Sequence, residues 1–148
     1  MIHYHGTPLT PRSALMALAG KHFCVSYADP RDADTCLQIG QSVLFDNGAF
    51  TAHTQGKEPD RRAYAEWLDD RLAHPHWAVI PDAIGGDEDA QRRLVAEWTF
   101  PPALSAPVWH LGLSLDYLLE LADAYPRVCF GSSERYWQIG SPDWFASW

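Results

Sequence analysis

Short apolar runs alternate with amphipathic segments along the whole chain. The runs are Met1–Gly6, His22–Tyr27, Ser42–Asp46, Trp77–Ile84, Pro107–Leu111 and Arg127–Ser133. Each is strand-length and bounded by turn residues. Between the first two, Thr10 offers an N-cap with Pro11 at the first helical position, and Gly20 supplies a left-handed stop. Leu15, Leu18 and Ala19 would form that helix's apolar face. A weaker helix is expected over Arg31–Gly40, then a longer one over Asp60–Ala73 with Tyr64, Trp67, Leu68 and Leu72 on one stripe. A fourth, Asp87–Trp98, groups Ala90, Leu94, Val95 and Trp98. Its acidic start, Asp87–Asp89, suits the positive end of the helix dipole. Ser114 is placed to cap a fifth helix with Leu115, Leu118, Leu119, Ala122 and Tyr125 inward.

Near-continuous apolar strands separated by helices predict a parallel sheet covered on both sides. The fold class is therefore α/β, as an open doubly wound sheet or a (β/α) barrel of TIM type. No G-x-G-x-x-G follows the first run, which weakens the dinucleotide-binding form of the open sheet. The 148-residue length suggests one domain, spanning residues 1–148.

Composition narrows the function classes. Seven Trp, six Tyr and six Phe provide ample apolar surface, so disorder is not expected. No apolar run approaches the roughly 20 residues needed to cross a bilayer, and no secretory signal is visible, so no membrane partner and a cytoplasmic location are expected. The odd count of cysteines, Cys24, Cys36 and Cys129, without C-x2-C spacing, reads as reduced thiols and no structural metal. A formal charge of −8 argues against broad nucleic-acid binding, though not against gripping a single nucleotide.

The chemistry concentrates where the runs end: Asp46, Asp82, His110 and Gly131–Ser132. Strand C-termini of a (β/α) barrel converge on one mouth, so polar residues there imply a shared site. The competing reading is that they cap helices and turns, about an even alternative for Ser132 and a weaker one for Asp46, which Asn-Gly follows. His53, His74 and His76 lie in expected loops and read as solvated, and Arg92–Arg93 as a solvated face.

DNGAF (Asp46–Phe50) resembles the D-S-G-G-[FY]-Q motif of the queuine/guanine tRNA-ribosyltransferase (tRNA-guanine transglycosylase) superfamily. In the same order, VIPDAI around Asp82 resembles the strand with that family's guanine-reading Asp. PVWHLG around His110 falls where it has V-Q-G-[GS], and VCFGSS around Gly131 where it has A-V-G-E. With the HYHGTP opening, the chain looks most similar to phage-associated DNA 7-deazapurine transglycosylases. The resemblance spans about Leu44–Ser133.

It implies a TIM-type barrel that exchanges guanine for a 7-deazaguanine in DNA or tRNA, without a cofactor, through a covalent glycosyl-enzyme. By resemblance, Asp46 is the catalytic acidic residue at the glycosidic bond and Phe50 stacks on the purine. Asp82 accepts two hydrogen bonds from the guanine edge. His110, in place of Gln, donates to the base's carbonyl edge. Gly131 admits close backbone approach, and Ser132 departs from the family's Glu.

The family's nucleophilic Asp and Cys-rich zinc site would lie beyond the last residue. The expectation is six strand–helix units of a C-terminally truncated barrel, poor turnover, and self-association through open sheet edges. Two rivals remain. One is a metal-dependent amidohydrolase-type barrel using His3, His5 and His110, although His3 and His5 read at least as well as strand-end hydrogen bonders. The other is a non-catalytic remnant that binds a base or a partner, with Trp144, Phe145 and Trp148 as a docked cap or an exposed patch.

Overall fold

The computed structural model of the chain describes residues 1–132, 136, 138 and 140–146. Ser133 and Trp148 lie outside the described residues. The chain divides into two compact units, Met1–Val79 and Ile80–Trp148.

The first unit contains β1 (Tyr4–Thr7), α1 (Arg12–Met16), β2 (His22–Ser26), α2 (Ala33–Ile39), β3 (Ser42–Asp46), α3 (Ala49–Thr54), α4 (Arg61–Asp69) and β4 (Trp77–Val79). The second contains α5 (Glu88–Glu97), a 3-10 turn at Pro102–Leu104, β5 (Ser105–Ala106), β6 (Val108–His110), α6 (Leu115–Ala124), β7 (Cys129–Gly131) and α7 (Pro142–Ala146). Helices thus alternate with strands as the pattern predicts.

The larger sheet has five strands in the order β1-β2-β3-β4-β5. The pairs β1–β2, β2–β3 and β3–β4 are all parallel. Strands lie in chain order without the reversal that marks a doubly wound sheet. β6 and β7 form a second, two-stranded parallel sheet. β5 and β6 are one extended run interrupted at Pro107, which has no N–H to give to a ladder. The Pro107 carbonyl still accepts from Cys129 N at 2.8 Å, while Ala106 O, facing the opposite way, accepts from Ile80 N at 2.9 Å.

Burial in the first unit follows the two-residue period of a strand. Phe23, Val25, Val43 and Phe45 are fully buried on one face, with Tyr64 and Leu68 of α4 also buried. His22, Cys24, Ser26, Leu44 and Asp46 alternate with them and are only half-buried. At the start of this second face, Tyr4 Oη takes hydrogen bonds from Trp77 Nε1 (2.9 Å) and Ser42 Oγ (3.2 Å), and Ser42 Oγ lies 2.6 Å from His22 Nδ1. Tyr64 Oη, from α4, is 3.0 Å from both Phe45 O and Val79 O, so one hydroxyl ties the ends of β3 and β4.

Several local expectations need correction. Thr10 does not cap α1: Pro11 is the N-cap residue, without a side-chain cap, and only Leu15 of the expected face is fully buried. His53, expected in a loop, lies in α3. His76 is half-buried, and its Nδ1 accepts from Val43 N at 3.0 Å. Arg92 stays 38% exposed and Arg93 is exposed, but Arg92 does not simply face solvent. It pairs with Glu88 (2.8 Å) and Glu120 (2.5 Å), and its guanidinium lies 4.4 Å from the Tyr117 ring centroid.

α6 is capped by Ser114 Oγ, which accepts from Tyr117 N at 3.2 Å, but its inward face is rotated from the expected one. Tyr117 and Leu121 are buried with Trp109 and Leu111, whereas Leu115 and Leu119 are exposed. Trp144 of α7 packs against the same cluster, and Phe145 is exposed.

Cys24, Cys36 and Cys129 form no disulfide. No helix among the described residues is long and apolar enough to cross a membrane.

Candidate functional site

The residues singled out by sequence fall into both units. Asp46 and Phe50 belong to the first; Asp82, His110, Gly131 and Ser132 belong to the second.

In the first unit, Asp46 ends β3 on the half-buried face. Its Oδ2 accepts from Ser26 Oγ at 2.9 Å and from Gly48 N at 3.0 Å. Asn47 follows the same logic one residue on, with Oδ1 accepting from Ala49 N at 2.8 Å. Two successive side chains thus satisfy amides at the entry to α3. Gly48 turns the chain with φ 73°, and a Cβ there would come within 3.0 Å of Ala28 N. The D-N-G triplet therefore has a local geometric reason beyond any ligand. Phe50, the next turn's apolar residue, is 64% exposed, so its ring is available for stacking. Beside it in the chain, Asn47, Gly48, Thr51 and Lys57 help line a cleft of about 200 Å³ with Tyr27.

In the second unit, Asp82 and His110 come together although 28 residues separate them in the chain: Nε2 of the imidazole is 2.8 Å from Asp82 Oδ2. Both side chains are about nine-tenths buried. A carboxylate only accepts, so the ring proton at this contact is on Nε2. His110 Nδ1 is also buried and has no hydrogen-bond partner among the described residues.

Gly131 stands opposite His110 in the β6–β7 register. A Cβ on Gly131 would lie 2.6 Å from His110 Nδ1 and 2.8 Å from Cε1. The space a side chain would take is filled by the imidazole, so glycine is required here by the ring across from it. Ser132 Oγ donates to Tyr136 O.

Sequence reasoning missed one contributor. Gln91 of α5 is 2% exposed, and its amide bonds the backbone on both sides of Ala83: Ala83 N donates to Oε1 at 3.1 Å and Nε2 donates to Ala83 O at 2.5 Å. A glutamine amid the apolar stripe of α5 was the available signal, because a buried amide must find partners.

His3 and His5 meet edge-on with ring centroids 4.6 Å apart. Among the described residues no three His, Cys, Asp or Glu side chains are grouped to hold a metal ion. Comparison of the chain with protein-family models, curated proteins and solved structures gives no match.

Proposed function

We propose that this chain is a transglycosylase-like protein of (β/α)-barrel type that recognises a guanine or 7-deazaguanine base in nucleic acid. The observation that carries the reading is the Asp82–His110 pair, in which the residue that ends β6 holds a carboxylate just past the end of β4. A buried carboxylate held by a histidine presents acceptors in a fixed direction. Guanine offers matching donors at N1–H and the exocyclic amine, whereas adenine puts a bare nitrogen at N1. In this reading His110, whose Nε2 is bonded to Asp82, orients that carboxylate instead of donating to the base's carbonyl edge as the resemblance implies. The chain-order arrangement of parallel strands supports a barrel, whose mouth gathers strand ends.

The test is calorimetry with guanine, a 7-deazaguanine and adenine. The guanines are expected to bind more tightly, and Asp82→Ala to remove the preference, because a site lacking its acceptors leaves donor groups unpaired. Equal binding of both purine types by the parent chain would sink the proposal. Incorporation of a labelled 7-deazaguanine into DNA or tRNA then separates an exchange enzyme from a binding protein.

A further inference from the structure

We infer that Gln91 is the positioning residue for the Asp82 carboxylate, acting through the backbone of Ala83. The inference deepens the base-recognition reading and rests on it only for the ligand. The hydrogen bonds of the Gln91 amide go to the residue that immediately follows Asp82. Its amide closes a ring with Ala83 N and O, as a neighbouring peptide would in a sheet. β4 ends at Val79, so by Ala83 the ladder no longer holds the chain. The glutamine takes over where the strand stops.

The rest of the loop is built around the same residue. Ala83 O also accepts from Gly86 N at 3.0 Å, and Gly85 turns the chain with φ 72°. A Cβ on Gly86 would lie 2.7 Å from Ala83 Cβ, so the turn closes tightly on Ala83. On the helix side, Asp87 caps α5 by accepting from Ala90 N at 2.8 Å. Gln91 then sits one turn into a helix whose start is fixed. Ala83 is held by a side chain, a turn and a capped helix, and Asp82 is one residue away from that clamp. A carboxylate must stay within a few tenths of an ångström and a narrow angle of Nε2 to keep a 2.8 Å bond to His110. Side chains that orient a ligand-contacting group, as in the outer shell of metal sites, typically carry about 10–100-fold of affinity or activity.

The experiment reads the Asp82–His110 bond directly, without any ligand. Imidazole 15N and Nε2–H proton shifts of His110 are recorded in the full chain, assigned with His110→Gln, and calibrated by Asp82→Ala, which removes the acceptor and so marks the broken bond. Gln91→Met keeps length and burial but removes both bonds; Gln91→Glu keeps an acceptor for Ala83 N and loses the donor to Ala83 O. The Met variant is expected to move the His110 signals most of the way to the Asp82→Ala position, and the Glu variant part of the way, with circular dichroism unchanged. If the Met variant does not fold, the Glu variant decides alone. A folded Gln91 variant with the parent's His110 signals overturns the inference. Guanine affinity gives a second reading: about a tenfold loss in Gln91→Met, and no further loss when Asp82 is already Ala. A further loss in that background overturns the inference as well. If the parent binds no guanine, the proposed function fails, and the imidazole shifts still decide the role of Gln91.

Discussion

Replacing Gly131 with alanine adds one methyl group and should be costly. Where no atom stands nearby and φ is ordinary, Gly→Ala stabilises a protein by about 0.4–1 kcal/mol, because the unfolded chain loses freedom. Gly131 has no left-handed φ, so the backbone raises no objection. The objection is spatial: the new Cβ would lie 2.6 Å from His110 Nδ1, 2.8 Å from Cε1 and 3.0 Å from Val108 Cγ1. Ordinary contact between such atoms is near ~3.5 Å, so the ring must shift by roughly 0.5–1 Å. A shift of that size spoils the 2.8 Å bond to Asp82, by stretching it or by forcing the groups together. Overpacking of this kind costs about 1–3 kcal/mol. Loss of a buried hydrogen bond to a charged group costs about 1.5–3 kcal/mol. The two overlap, since the ring moves once, so a net loss of about 2–4 kcal/mol is expected. Urea unfolding measures it. Gly6→Ala is the internal control, because a Cβ there meets nothing within 4 Å. The Gly131 variant should fall well below the parent, while the Gly6 variant should lose nothing and gain up to about 1 kcal/mol. A Gly131→Ala chain as stable as the parent, with unchanged His110 imidazole shifts, would refute the account of why glycine is there.

Two tyrosines should respond oppositely to loss of the hydroxyl. Tyr64→Phe removes the tie to Phe45 O and Val79 O and should cost about 1–3 kcal/mol. Tyr117 Oη is buried without a hydrogen-bond partner among the described residues, so Tyr117→Phe should be neutral or stabilising; denaturation midpoints of both check this. His76 has its protonation held below the ordinary histidine range by burial and then by the nearby His74. A group with a depressed pKa favours the fold above its unfolded value, near 6.5, and that contribution is lost as pH falls below it. The stability difference between parent and His76→Asn should therefore shrink on acidification, and a difference constant from pH 8 to about pH 5 would contradict the role of Nδ1 as acceptor. Burial, with Asp32 adding to it, pushes the Cys36 thiol up to about 12. Its reaction with a disulfide reagent at pH 8 should await unfolding, and rapid labelling of Cys36 in the native chain, read by mass spectrometry, would count against that burial.

Elements governed by neighbours in sequence were legible from sequence. SVLFD reads as a strand, and β3 spans Ser42–Asp46. Ser114 caps α6 through an amide three residues on, a contact that local chain geometry alone can close. The stripe Tyr64, Trp67 and Leu68 turns inward as its 3.6-residue period requires, while Leu72, expected on the same helix, is buried past the end of α4 at Asp69. Other features depended on what lies across from them. On α6, Leu115–Leu118–Leu119–Ala122 and Tyr117–Leu118–Leu121–Tyr125 are both acceptable helical stripes; packing with Trp109 and Leu111, and Arg92 stacking on Tyr117, select the second. His76 lies in a loop as expected, but it is half-buried rather than solvated, because a strand amide from residue 43 needs its Nδ1 as an acceptor. At the candidate site, sequence marked Asp82, His110 and Gly131 as polar or small residues ending apolar runs. Their relation to one another is tertiary. The β6–β7 register puts Gly131 opposite His110, and the turn clamped by Gln91 carries Asp82 to within 2.8 Å of the imidazole. A hydrogen bond across 28 residues leaves no periodicity to read, because its two ends are brought together by strand register and loop path rather than by spacing along the chain.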